Sequence, residues 1–300
     1  MRIVAPDKNT VVGFDRLVTA VLRSDCIPVP LTLEFQILLN SDQRSQFVEN
    51  AVVYLGDNYI SMKIIKAVVM PSSIVRDDER LTLGSFIAVL EGCEKLTKPV
   101  NNAIYLENTS INSILKASGL KNGVTKDDVP VLKYFVPLGE TPTFIIAAKL
   151  AEEAAVMYAN QEGRIRVKRL NNLMNEDPKL KVDQTEVNWI GNTNTLLHST
   201  PNFITLNADG STIEGDIRPG KAAKFIPSSD ARRVKNMSTM LVTKGTFMRA
   251  MSPNIGAGDL IEINQRKYFI LTAAHRFDTG ALGGSTVSAS KFWFAEVQSL

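Results

Sequence analysis

The segment Leu31-Thr32-Leu33-Glu34-Phe35-Gln36-Ile37 alternates apolar and polar side chains without a break, and that period of two constrains the fold more than any other feature. Successive side chains of a strand point to opposite faces. Leu31, Leu33, Phe35 and Ile37 therefore go to one side and Thr32, Glu34 and Gln36 to the other, which describes a strand in a sheet with one wet face. Runs of the same kind, cut by turn residues about every 8 to 12 positions, fill residues 1–103. Asp25-Cys26-Ile27-Pro28-Val29-Pro30 sets two prolines where neither can donate to a ladder, so the chain approaches this strand along an edge. Ala51 to Leu55 and Tyr59 to Val69 flank Gly56-Asp57-Asn58, residues that tolerate positive φ and suit a hairpin turn.

Between 104 and 184 the period changes. Ser110 is placed to cap a short helix with apolar residues at 111, 114 and 115, and Gly119 to end it. Thr141 and Pro142 predict the start of a longer helix, Thr143 to Gln161, with Phe144, Ala148, Ala151, Ala155 and Tyr158 on one face and Gly163 as its stop. Arg164 to Leu170 then reads as a strand, with Ile165 and Val167 facing a core and Arg164, Arg166 and Lys168 facing away. From 185 the β pattern returns. Asp209-Gly210 and Pro219-Gly220 are turns, and Gly258-Asp259 leads into Leu260 to Ile263. That strand turns at Asn264-Gln265-Arg266 into Lys267 to Phe277, and a last, glycine-hinged strand carries Phe292, Trp293 and Phe294. No repeat of 20 to 50 residues occurs, which disfavours solenoids and propellers. The expected class is α+β, mainly β: two β-barrel-like domains, 1–103 and 185–300, flank a smaller α+β domain, 104–184.

The composition narrows the chemistry. With 300 residues and 44% hydrophobic side chains the chain can build real cores, and 34 basic against 31 acidic residues leave a net charge of only +3, unlike a dedicated nucleic-acid binder. No apolar run approaches the roughly 18 to 20 residues of a bilayer span, so no membrane insertion is expected. Charge and proline arrive by Arg2 and Pro6, which predicts a chain without an export signal, made in the cytoplasm. Cys26 and Cys93 form no paired motif, and with only His198 and His275 beside them neither a metal nor a cofactor is expected.

Catalytic patterns are likewise missing from the sequence. Gly84-Ser85 and Gly210-Ser211 lack the second glycine of a nucleophile elbow, and no phosphate-cradling glycine motif occurs. His275, inside the apolar run from Ile270, reads as a structural histidine, and His198 as a loop residue. The carboxylate groups Asp77-Asp78-Glu79, Asp127-Asp128 and Glu152-Glu153 read as solvated faces, since adjacent residues diverge. No catalytic residue is assigned, and the chain is not expected to be an enzyme. Arg164, Arg166, Lys168 and Arg169, with Arg232, Arg233 and Lys235, could line a nucleic-acid path, but a solvated strand face or a subunit interface is the favoured reading, with Arg164, Arg166, Lys168, Arg232 and Arg233 as the candidate residues. No Phe or Tyr alternates with them as a single-strand binder would need.

Several segments resemble the central baseplate hub of contractile-tailed bacteriophages, a family related in fold to the type VI secretion spike. Ser24-Asp25-Cys26-Ile27-Pro28-Val29-Pro30 ahead of a strand looks like the approach to the first hub barrel. Thr141-Pro142-Thr143-Phe144, with Glu162-Gly163-Arg164-Ile165 after the helix, looks like the family's swivel domain. Pro253 to Asp259 followed by Tyr268 to Phe277, ending in His275-Arg276-Phe277, is similar to the last barrel. The resemblance implies a homotrimer whose barrels form a ring continuing the tail tube, with the central spike below and the tube or tape-measure protein above. It further implies a virion tail component, assembled in the host cytoplasm, with phage DNA passing through its lumen. Two alternatives stay open on the residues alone: a nucleic-acid-binding β-barrel acting through Arg164 to Arg169, and a hydrolase using His275 with Asp278.

Overall fold

A computed structural model describes residues 1–76, 78–120, 128–191, 201–207, 209–215, 217–227 and 230–299. His198, Asp77 and Asp127 lie outside the described residues. The first β segment holds β1 (Ile3–Val4), β2 (Leu17–Asp25), β3 (Leu31–Leu39), α1 (Ser41–Gln46), β4 (Val52–Leu55), β5 (Ile60–Arg76) and β6 (Glu79–Leu90). The middle holds β7 (Ile104–Ser110), α2 (Ile111–Ala117), β8 (Pro130–Val136), α3 (Pro142–Glu152), β9 (Ala155–Ala159), β10 (Ile165–Arg169) and α4 (Leu170–Met174). The remainder holds β11 (Leu180–Lys181), β12 (Val187–Trp189), β13 (Asn202–Leu206), β14 (Thr212–Glu214), β15 (Ala223–Phe225), α5 (Ala231–Asn236), β16 (Thr239–Ala250), β17 (Leu260–Ile263), β18 (Arg266–Asp278) and β19 (Val287–Ser299). Among the described residues no helix is long and apolar enough to cross a membrane.

The chain is α+β and mainly β, and its two β segments are joined. One sheet runs β1-β4-β5-β6-β3-β2-β18-β19-β16-β12, with β17 on β18 and β11 parallel to β17. The junction is β2 against β18, antiparallel from Asp25 opposite Thr272 to Thr19 opposite Asp278. The alternation read from β3 holds: Leu31, Leu33, Phe35 and Ile37 are buried while Glu34 is exposed. Gly56 takes φ 67° in the turn from β4 to β5. A smaller unit lies within 185–300 but outside the large sheet: β13 pairs antiparallel with β14 and parallel with β15, and α5 packs on it.

Two interiors back the sheet. Leu33, Phe35 and Phe86 share one cluster with Ile111, Ile114, Tyr134, Ile146 and Met157, so the α+β module supplies the second layer over the first β segment. Phe247, Ile261, Ile270, Phe292 and Phe294 form a separate aromatic cluster. A third joins Val156, Tyr158, Leu170 and Leu173 to Leu260 and Phe269.

One expected element changes type. The helix predicted over Thr143 to Gln161 stops at Glu152; Ala154 takes φ 45° and the chain continues as β9, paired with β10. Ala155 and Met157 face the first cluster while Val156 and Tyr158 face the third, so every residue of β9 is buried. Burial on two opposite sides is available to a strand and overrides the helix preference of an alanine-rich run. The buried stripe of α3 is also different, Ile146 and Leu150, with Phe144 turned to solvent.

Candidate assembly surfaces

The basic residues singled out from the sequence go to three different places. Arg232 and Arg233 on α5 and Arg169 on β10 converge on Glu153, the residue that closes α3. Arg232 Nη1 and Arg169 Nη2 each donate to Glu153 Oε2 at 2.8 Å, and Arg233 Nε donates to Oε1 at 2.6 Å. Arg233 also reaches Asp230 at 2.7 Å. The Glu153 side chain is only 1% exposed, which corrects the reading of Glu152-Glu153 as a solvated face. A carboxylate at a helix C-terminus would be repelled by the carbonyl dipoles there, and three guanidinium groups reverse that field. Burial raises the affinity of Glu153 for a proton, but hydrogen bonds from Arg232 and Arg233 outweigh it and hold the group below the usual carboxylate range.

Arg166 and Lys168 line a cleft of about 250 Å³ between the β9–β10 hairpin and the Pro253 to Asp259 turn, together with Leu22, Ser24 and His275. Lys168 pairs with Glu176 at the same cleft, and Lys179 reaches Asp259 at 2.6 Å. Ser24 and His275 are buried on the packed side of the sheet, so these basic residues approach from that side. Arg164 sits at the start of the hairpin, 3.2 Å from Glu162 and largely exposed.

His275 makes a buried polar network beside this cleft. Its Nδ1 lies 2.8 Å from Ser290 Oγ, and Ser290 Oγ accepts from the Ser252 backbone N–H at 2.8 Å. Burial pushes the imidazole down to about 4, against an opposing backbone hydrogen bond to Ile255, so the ring is neutral at pH 7. Asp278 hydrogen-bonds Thr19 and Arg276, and it is Ser290 that partners His275. A serine beside a histidine is the start of a nucleophilic site, yet both side chains are buried, at 0% and 2% exposure, and the base is too weak at neutral pH to activate a hydroxyl.

The opposite side of the sheet carries the largest feature the sequence reading did not assemble. Across β3, β2, β18 and β19 the positions that alternate with the core form a continuous face: Thr32 and Glu34, Val21 and Arg23, Thr272 and Ala274, Lys291 and Trp293. Within it is a shallow groove lined by Arg23, Thr32, Glu34, Thr243, Thr272 and Trp293 among others. Two of its cations are paired with carboxylates and a third rests on a ring. Arg23 pairs with Asp25 at 2.7 Å, Arg276 with Asp278 at 2.8 Å, and Lys291 Nζ rests 5.0 Å from the centre of the Trp293 ring. The polar half of the alternation in Thr32, Glu34 and Gln36 was the available signal; the pairing of β2 with β18, which extends that face across both segments, was not visible in the sequence.

Comparison with solved structures finds the same fold. A tail protein of Neisseria meningitidis superposes with a TM-score of 0.63 at 9% identity, covering 98% of this chain and 95% of that one. The 43 kDa tail protein of prophage MuSo2 from Shewanella oneidensis gives 0.57 at 11% identity, covering 98% and 95%. A type VI secretion component of Escherichia coli, described as structurally similar to the phage T4 tail proteins gp27 and gp5, gives 0.53 at 9% identity, covering 93% and 73%. The chain thus has the fold of phage tail and type VI secretion components over nearly its whole length, the fold that the sequence resemblance implied. No protein-family model and no curated protein sequence matches it.

Proposed function

We propose that this chain is a structural subunit of a phage tail, a trimeric hub that connects the tail tube to the central spike and forms part of the channel through which DNA leaves. The observation that carries the reading is the single sheet spanning both β segments with one face packed and the other bare. A layer of this kind, repeated around a threefold axis, makes a wall with a core behind it and a polar lining in front. The lining assigned here is the face bearing Arg23, Thr32, Glu34, Thr272, Lys291 and Trp293. Arg23 and Arg276 are paired with Asp25 and Asp278, which weakens the grip of this face on a polyanion that must slide along it. Arg164, in the turn before β10, belongs to a candidate subunit boundary, and Arg232 and Arg233 on α5 act within the protomer through Glu153.

The proposed partners are the tube and tape-measure proteins on one side and the spike on the other, in a virion tail. A nucleic-acid-binding role through Arg164 to Arg169 has less support, because Arg169 and Lys168 are already committed to Glu153 and Glu176. A reconstruction of the assembled particle tests the proposal: a threefold ring with the bare face turned to the axis is expected, and a ring with that face on the outside overturns the channel assignment.

A further inference from the structure

At one end of the second aromatic cluster is a mouth of about 560 Å³ that the hub reading does not use. Its described lining is Trp189, Tyr268 and Ile263 with Gln184, Asn264 and Arg266. Small-molecule sites span roughly 300 to 1,000 Å³, so the size is suitable. Trp189, the last residue of β12, lies opposite Gly245 of β16. A Cβ on Gly245 would stand 2.8 Å from Phe294 Cζ, so the glycine lets Phe294 come up against the indole. Trp189 packs edge-on with Phe294 at 5.6 Å and with Tyr268 at 6.0 Å between ring centres, yet stays 44% exposed. The ring is fixed before any ligand arrives, which spares part of the ordering cost of binding.

The rim is polar and held in place. β17 turns into β18 through Asn264 and Gln265, at φ 50° and 63°, and Asn264 Nδ2 donates to Oε1 of Gln184, which lies just before β12. That bond uses one end of each amide: Asn264 keeps an acceptor oxygen and Gln184 a donor nitrogen. Arg266 is exposed, carries the one charge among the described lining residues, and forms no ion pair with a described residue. We propose that this mouth binds a saccharide bearing a carboxylate. A sugar ring has an apolar C–H face edged by hydroxyls, each both donor and acceptor. The slightly positive C–H face suits the negative face of an indole, an amide acceptor beside an amide donor meets neighbouring hydroxyls, and a guanidinium takes a carboxylate through two parallel hydrogen bonds. An apolar side chain of a partner protein would bury the same rings but leave the three polar groups unmatched.

The test is calorimetric titration of the purified full chain with three acidic probes, trigalacturonate, a hyaluronan tetrasaccharide and sialyllactose, and with maltotriose as the uncharged comparator. The expected result is saturable binding of at least one acidic probe, about tenfold tighter than maltotriose. Trp189→Ala should abolish it. Two variants guard against a loss that is only misfolding: Arg266→Gln, at an exposed position, should bring the acidic probe down to the affinity of maltotriose, and Asn264→Gly, which suits φ 50°, should weaken both sugars with the melting temperature of each variant unchanged. Failure of all three acidic probes to bind overturns the proposal, as does binding that survives Trp189→Ala. An affinity for the acidic probe that Arg266→Gln leaves untouched overturns the carboxylate assignment. A particle reconstruction in which a neighbouring protein chain fills the mouth assigns it to a protein contact and overturns the saccharide. None of these outcomes bears on the hub reading, which the threefold ring tests separately.

Discussion

Strands β1 to β6 and strands β16 to β19 belong to one sheet, yet their apolar faces are covered in different ways. Phe35 stacks on Phe86 with ring centres 5.0 Å apart, and that cluster continues into Ile111, Tyr134, Ile146 and Met157 of the inserted module. In the second segment Phe247 stacks on Phe292 at 4.8 Å, Phe294 packs edge-on to Trp189 and Tyr268, and the strands with their short neighbours β11, β12 and β17 close the cluster themselves. A sheet needs a second layer over its apolar face. The first segment takes that layer from the inserted module, while the second closes its aromatic cluster with its own strands and meets the module through a smaller patch at Leu260 and Phe269.

The largest effects should expose that asymmetry. Phe35→Ala is expected to cost about 4 to 5 kcal/mol, and native-state hydrogen exchange should show α2 and β8 losing protection along with β3 and β6. Phe292→Ala, of similar size, should open β16, β18 and β19 while the module stays protected; equal loss everywhere would erase the distinction. Glu153→Ala leaves Arg232, Arg233 and Arg169 without their shared acid; with Arg232 and Arg169 partly solvated and Arg233 still on Asp230 the cost is about 3 kcal/mol, and limited proteolysis should then cut first around α5. Acidification comes next. The folded pKa of His275 is lowered to about 4 from 6.5, so the unfolded chain binds the extra proton between those values and stability falls as the pH drops through that window. The loss is on the order of 3 kcal/mol and complete near pH 4. Glu153, held below its usual 4.5, adds a further loss below that pH. A urea series from pH 7 to 4 measures the slope, and His275→Asn should flatten it. Ser290→Ala removes the partner of His275 Nδ1 and of the Ser252 N–H, for about 1 to 2 kcal/mol, confined to the second segment. Arg276→Ala on the bare face should stay within about 0.5 kcal/mol by thermal melting.

Much of this was legible where one local rule decided the outcome. The β3 alternation, the Ser110 cap of α2 with Gly119 at φ 105°, and the Gly56 hairpin all rest on a few neighbouring residues. β9 was not legible: the spacing from Phe144 to Tyr158 fits a helix, and only two interiors meeting on Ala155 to Ala159 make it a strand. The strand read as Tyr59 to Val69 runs on to Arg76 because Pro71, which cannot donate, lies on an edge with no ladder to donate to. The Glu153 cluster gathers residues from α3, β10 and α5, far apart in the chain, and no local pattern announces such a meeting.

The position of β9 has a mechanical consequence. Its five residues are gripped from both sides, Met157 by the interior behind the first segment and Val156 and Tyr158 by the patch that includes Leu260 and Phe269 of the second. Sliding the module against either neighbour would strip apolar side chains from both grips together. The strand therefore fastens the module to both segments at once, so that displacing it means unpacking both contacts.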